Sequence, residues 1–141
     1  MDEVIIRQYS LKDRDDLRDI AYATAFFGEP AEIFFDDKEI LADFLTLYFT
    51  DYEPQSCFVA ELKREVVGYL IGARDTLTLK RIFKLKIFPA LFRRALIRGI
   101  IFKKKNITFL FYCLLSFLKG GFLDPDFSKV YPATLHINLK P

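Results

Sequence analysis

Tryptophan is absent from these 141 residues, histidine occurs once and cysteine twice. Cys57 and Cys113 stand far apart in no metal-ligand spacing, so two reduced thiols are expected, with neither a disulfide nor a metal site. The N-terminus opens on Asp2 and Glu3, which excludes the basic start of a secretory signal and predicts a cytoplasmic protein. Internal repeats and low-complexity segments are missing too. The sharpest absence is of negative charge: no Asp or Glu lies between Asp75 and Asp124, a stretch that holds eleven Lys and Arg. The rest of the chain has the other 10 basic residues and all 19 acidic ones, a net −9. The formal charge of +2 therefore hides a basic segment set on an acidic body.

What is present is enough for one domain. The length suffices to bury a core. A hydrophobic content of 52% against 28% charged residues is that of a folded chain, not a disordered one. Sixteen phenylalanines carry no functional reading. Three segments are expected: residues 1–75, the basic stretch 76–123, and a closing strand within 124–141.

The β-branched run Val4–Tyr9 predicts a first strand. Ser10, with Asp13 three residues on, is a variant of the capping box, and Leu17, Ile20, Ala21 and Thr24 follow at helical spacing to about Phe27, with Gly28 as the stop. The loop 29–37 carries Glu29, Glu32, Asp36 and Asp37, and either aspartate suits the cap of a second helix with Ile40, Leu41, Phe44, Leu47 and Tyr48 on its apolar side. Pro54 and Gln55 close it. Residues 57–62 and 66–73 read as a hairpin around Lys63-Arg64-Glu65. Gly68 and Gly72 in its second strand point to a bulge or a close backbone approach.

In the basic segment Pro89 fits the first turn of a helix whose stripe is Phe92, Ala95, Leu96, Gly99 and Ile100. Asn106 is placed as the cap of a second helix over Ile107–Leu118, apolar nearly all round and so either deeply buried or membrane-associated. Its length falls well short of the roughly 20 residues a bilayer crossing needs. Gly120 and Gly121 end it, and Asp124-Pro125-Asp126 makes a turn. Leu135, Ile137 and Leu139 then alternate with His136, Asn138 and Lys140, the pattern of a half-buried strand. The order β-α-α-β-β-helical insert-β predicts an α/β (α+β) domain, a mostly antiparallel mixed sheet covered by helices.

Several stretches in this order resemble the GNAT-type N-acetyltransferases, near the acetyltransferase-like domains of O-GlcNAcases. They are Ile6-Arg7, Gly28-Glu29, Cys57-Phe58-Val59-Ala60-Glu61, Val67-Gly68-Tyr69-Leu70-Ile71-Gly72 and Tyr131 to Ile137, with a closing strand that ends apolar-x-Pro at Leu139-Lys140-Pro141. The resemblance covers most of the chain outside residues 76–123. It implies the N-terminal half of that fold and transfer of acetyl from acetyl-CoA to a small-molecule or peptide amine. It also implies that the backbone of Ile137, Asn138 and Leu139 meets the cofactor arm and polarises the thioester carbonyl. The family's pyrophosphate loop, R/Q-x-x-G-x-G/A after that strand, is absent here. A truncated, inactive N-terminal portion is therefore expected, with acetyl-CoA bound weakly or not at all, and a homo-oligomer that covers the exposed sheet edge.

His136 and Asn138 share one face of the closing strand and are the catalytic candidates. His136 is read either as general base for the acceptor amine or as a hydrogen-bonded residue of the sheet surface. Glu29, Glu32 and Asp36 are candidates for holding a cationic acceptor, or are caps and solvated loop; Tyr69 and Glu61 are ordinary strand residues. The basic segment has three readings: solvated helix faces, a polyanion surface, or an interfacial membrane helix pair. No nucleic-acid motif accompanies the charge, so no nucleic-acid partner is expected. The alternative function is a non-catalytic module that binds a partner or a membrane surface through these helices.

Overall fold

A computed structural model of the chain describes residues 3–25, 32, 35–119 and 130–140. The expected helix stop at Gly28, the glycines 120 and 121, and the turn at 124–126 lie outside them. Among the described residues there are four strands: β1 (Ile5–Gln8), β2 (Cys57–Leu62), β3 (Glu65–Ala73) and β4 (Thr134–Leu139). They form one antiparallel sheet in the order β1-β2-β3-β4. Helices α1 (Arg14–Ala23) and α2 (Lys38–Tyr52) join β1 to β2. Helices α3 (Thr76–Ile82), α4 (Phe88–Ile97) and α5 (Lys104–Leu118) lie between β3 and β4.

The hairpin forms as its alternation predicts, but its turn is one residue shorter than expected, since Glu65 already pairs with Leu62 in the ladder. Lys63 and Arg64 both take positive φ, 52° and 67°, the left-handed pair of a two-residue turn that matches strand twist. A register shift sits between Ala60 and Glu61, opposite the run that holds Gly68. Gly68 also serves close approach: a Cβ there would stand 3.0 Å from the Asn138 carbonyl and collide with the Leu139 side chain.

Two neighbouring rows cross the whole sheet. Arg7, Val59, Tyr69 and Asn138 are paired on one face; Gln8, Phe58, Leu70 and Ile137 are paired on the other. The first face is the core side, where Val59, Tyr69, Ile71 and Cys57 meet Leu17, Ile20 and Ala21 of α1. On the other face Ile6, Phe58, Leu135, Ile137 and Leu139 are exposed. The alternation of the closing strand therefore predicts the strand but not its cover. Its apolar side chains point away from the helices, and none of the described elements packs over them.

The basic segment departs most from expectation. Helical structure begins at Thr76, well before Pro89, with Asp75 as cap accepting from the N–H groups of Leu77 and Thr78. It passes through a π-helical turn at Phe83–Ile87 into α4. Pro89 lacks the N–H that an α-helix needs one turn in, and its ring crowds the preceding carbonyl; the widened turn just before it accommodates both. Gly99 is not part of a stripe. It takes φ +65° and follows α4 as its left-handed stop. Of the expected stripe, Ala95 and Ile100 are buried while Phe92 and Leu96 are exposed. Asn106 caps nothing. It lies inside the first turn of α5, fully buried, where its Nδ2 donates to the Ile100 carbonyl and its Oδ1 accepts from the Asp36 N–H.

Candidate functional site

Among the described strands β4 leaves one edge unpaired. Lys140 N–H donates to the Val67 carbonyl at 2.8 Å, which sets the hydrogen-bonding phase of the β3–β4 ladder. Backbone groups alternate in an antiparallel pair. Asn138 and His136 therefore turn their N–H and C=O toward Tyr69 and Ile71 of β3, their register partners. Ile137 and Leu139 turn theirs outward, to the side where no described strand pairs. Of the three backbone positions that the resemblance implies for a cofactor arm, Ile137 and Leu139 face the side where no described strand pairs, and Asn138 belongs to the ladder.

The Asn138 side chain has a different task. Its Nδ2 donates to the Tyr69 hydroxyl at 2.7 Å. Tyr69 is buried, and burial pushes its pKa up to about 12 although the Asn138 hydrogen bond opposes the shift. The phenol stays protonated at neutral pH, with its own proton still to donate. In the sequence alone Tyr69 reads as an ordinary strand residue. The available signal was its place on the Asn138 row, which needs the β3–β4 register to be read. His136 is on the same face, two residues back, and is exposed.

The loop carboxylates have mostly structural partners. Glu29 lies outside the described residues. Glu32 is exposed, and its carbonyl accepts from Lys105 Nζ at 2.8 Å. The Asp36 carboxylate meets the same ammonium at 2.6 Å, and this hydrogen bond lowers its pKa. Asp37 caps α2 by accepting from the Ile40 N–H at 2.8 Å and pairs with Arg98 at 3.0 Å. The acidic loop thus anchors the basic helices, which explains part of the charge asymmetry in the sequence.

Among the described residues three carboxylates are buried, Asp13, Asp43 and Glu53, and the sequence shows only the capping role of Asp13. Asp13 accepts two hydrogen bonds from the Arg7 guanidinium, and Arg7 Nε reaches Glu61 at 2.7 Å. Asp43, on α2, is held by Arg18 of α1 at 3.1 Å and Arg94 of α4 at 2.5 Å. A third carboxylate, Glu53, accepts from Tyr48 Oη, Ser56 Oγ and the Arg74 N–H, tying the ends of α2, β2 and β3. Nothing local in sequence marks the arginine partners, since Arg7, Arg18 and Arg94 each reach their carboxylate from another element.

No family model matches the chain. Solved structures do. SsHAT is similar over 99% of this chain and 67% of its own, with 24% identity and a TM-score of 0.70. A mutant agmatine N-acetyltransferase in its apo form is similar over 99% of this chain and 61% of its own, at 16% identity and a TM-score of 0.40. The fold is GNAT-type. This chain spans about two thirds of the length of SsHAT. Among the described strands β4 ends the sheet at one edge, and α1 and α2 cover the face that carries Tyr69 and Asn138.

Proposed function

We propose that this chain forms the acceptor-side part of an acetyl-CoA-dependent N-acetyltransferase, acting on an amine. The observation that carries the reading is the outward N–H and C=O set of Ile137 and Leu139 on the edge of β4. Such a row pairs with an extended amide-bearing chain as another strand would, and the pantetheine arm of acetyl-CoA is one. The donors fit the group. When bound, acetyl-CoA supplies an acetyl group activated as a thioester. A backbone N–H fixed in a sheet stabilises charge on a carbonyl oxygen without reorganising. Asn138 and Tyr69 hold that backbone in place from the core side.

An acceptor amine must lose its proton before it attacks. His136, exposed on the Asn138 face, is our proposed group for taking that proton. Glu32 is the proposed carboxylate for holding the cationic acceptor, since Lys105 already occupies Asp36.

Titration calorimetry with acetyl-CoA, with free acetate as control, tests the reading. Heat from acetyl-CoA and none from acetate supports it. Silence from both at millimolar ligand overturns it. Acetylation of any amine above a heat-treated control would overturn the expectation of inactivity instead.

A further inference from the structure

We propose that the outer face of α5 docks on the surface of an anionic lipid bilayer. Ile107, Leu110, Phe111, Leu114 and Leu118 of α5 are between 45% and 71% exposed. Their spacing of three, one, three and four residues sets them in one stripe along a helix. The opposite side of α5 faces the protein, where Asn106 is buried and Phe109 meets the Phe35 ring edge-on at 6.0 Å. The stripe thus lies on the side of α5 turned away from the protein, the reverse of a helix that packs its apolar stripe on a core. Among the described residues nothing covers this stripe, and an exposed apolar surface of this kind marks an interaction site.

Charge chooses the partner. Lys103 and Lys104 stand exposed at one end of the stripe and Lys119 at the other, and no acidic side chain occurs anywhere in residues 76–123. A protein groove of ordinary composition would not be matched by cations alone. A nucleic acid would leave the phenylalanine and leucines without apolar cover. A leaflet of anionic headgroups over acyl chains satisfies both, with lysines at headgroup level and the stripe just beneath. Among the described residues no helix is long and apolar enough to cross a membrane, so α5 lies along the surface.

Co-sedimentation with vesicles tests this, using phosphatidylcholine alone and phosphatidylcholine mixed with phosphatidylserine at low salt. The protein is expected to sediment with the mixed vesicles and much less with the neutral ones. Phe111→Ser with Leu114→Ser should weaken binding by more than about tenfold. Lys103→Glu with Lys104→Glu should weaken it by about thirtyfold or more. All four side chains are exposed, so far-UV circular dichroism should be unchanged in both variants. Failure to sediment with the mixed vesicles overturns the proposal. So does binding that survives either double substitution, or a lipid-free dimer that the two serine changes dissolve, because a second copy would then be the cover.

Discussion

Arg7 grips Asp13 with two parallel hydrogen bonds, each 2.7 Å. The pair fastens β1 to the start of α1, and Asp13 also accepts from the N–H and hydroxyl of Ser10. The guanidinium beside it holds the Asp13 carboxyl at about 2. Because the folded value is depressed, the stabilisation is complete above the ordinary carboxylate pKa near 4. It is lost as pH falls from there through about 2. Chemical denaturation between pH 5 and pH 2, in about one-unit steps, should show roughly 2 kcal/mol of this loss. Arg7→Ala should lower stability at neutral pH by about 3 kcal/mol, since it strands a buried carboxylate, and should flatten this part of the pH profile.

Asn106→Ala should loosen α5. The substitution removes both hydrogen bonds of a fully buried amide and leaves the Asp36 N–H and the Ile100 carbonyl without that partner. About 2 kcal/mol of local stability should be lost. Amide hydrogen exchange checks it: residues 104–118 should exchange faster, while the β2–β3 hairpin keeps its protection.

Gly68→Val should separate β4 from β3. The new side chain would collide with Leu139 and crowd the Asn138 carbonyl, and neither can retreat without breaking the ladder. Amides of His136, Asn138 and Lys140 should lose protection first. Unchanged exchange there would contradict the close approach.

The two thiols should differ in reactivity. Cys57 is fully buried, and burial pushes its pKa up to about 11. Cys113 is partly exposed, with burial raising its pKa as well. An aromatic disulfide reagent at neutral pH should modify Cys113 first and reach Cys57 only on unfolding.

The sequence carries its signal clearly where one element holds it. The alternating hairpin strands, the Ser10–Asp13 cap and the Leu17–Ile20–Ala21 face all depend on neighbours a few residues away. The π-helical turn before Pro89 was not legible because the proline reads as a helix start and not as a residue the helix runs through, and the bridge at Asn106 was not because packing brings Ile100 and Asp36 to it. The Arg7–Asp13–Glu61 and Arg18–Asp43–Arg94 groups join residues far apart in the chain. The site was half legible. Strand alternation gave the shared face of His136 and Asn138, but the ladder phase that frees Ile137 and Leu139, and the Tyr69 hydroxyl under Asn138, required the β3–β4 register.

The central claim is that the outward backbone of β4 receives the acyl-CoA arm, and residue-resolved amide NMR during acetyl-CoA titration tests it most directly. The account predicts shifts largest at the Ile137 and Leu139 amides and smaller at Asn138, whose N–H is engaged with β3. Shifts absent from β4, or centred on the basic helices, would contradict it.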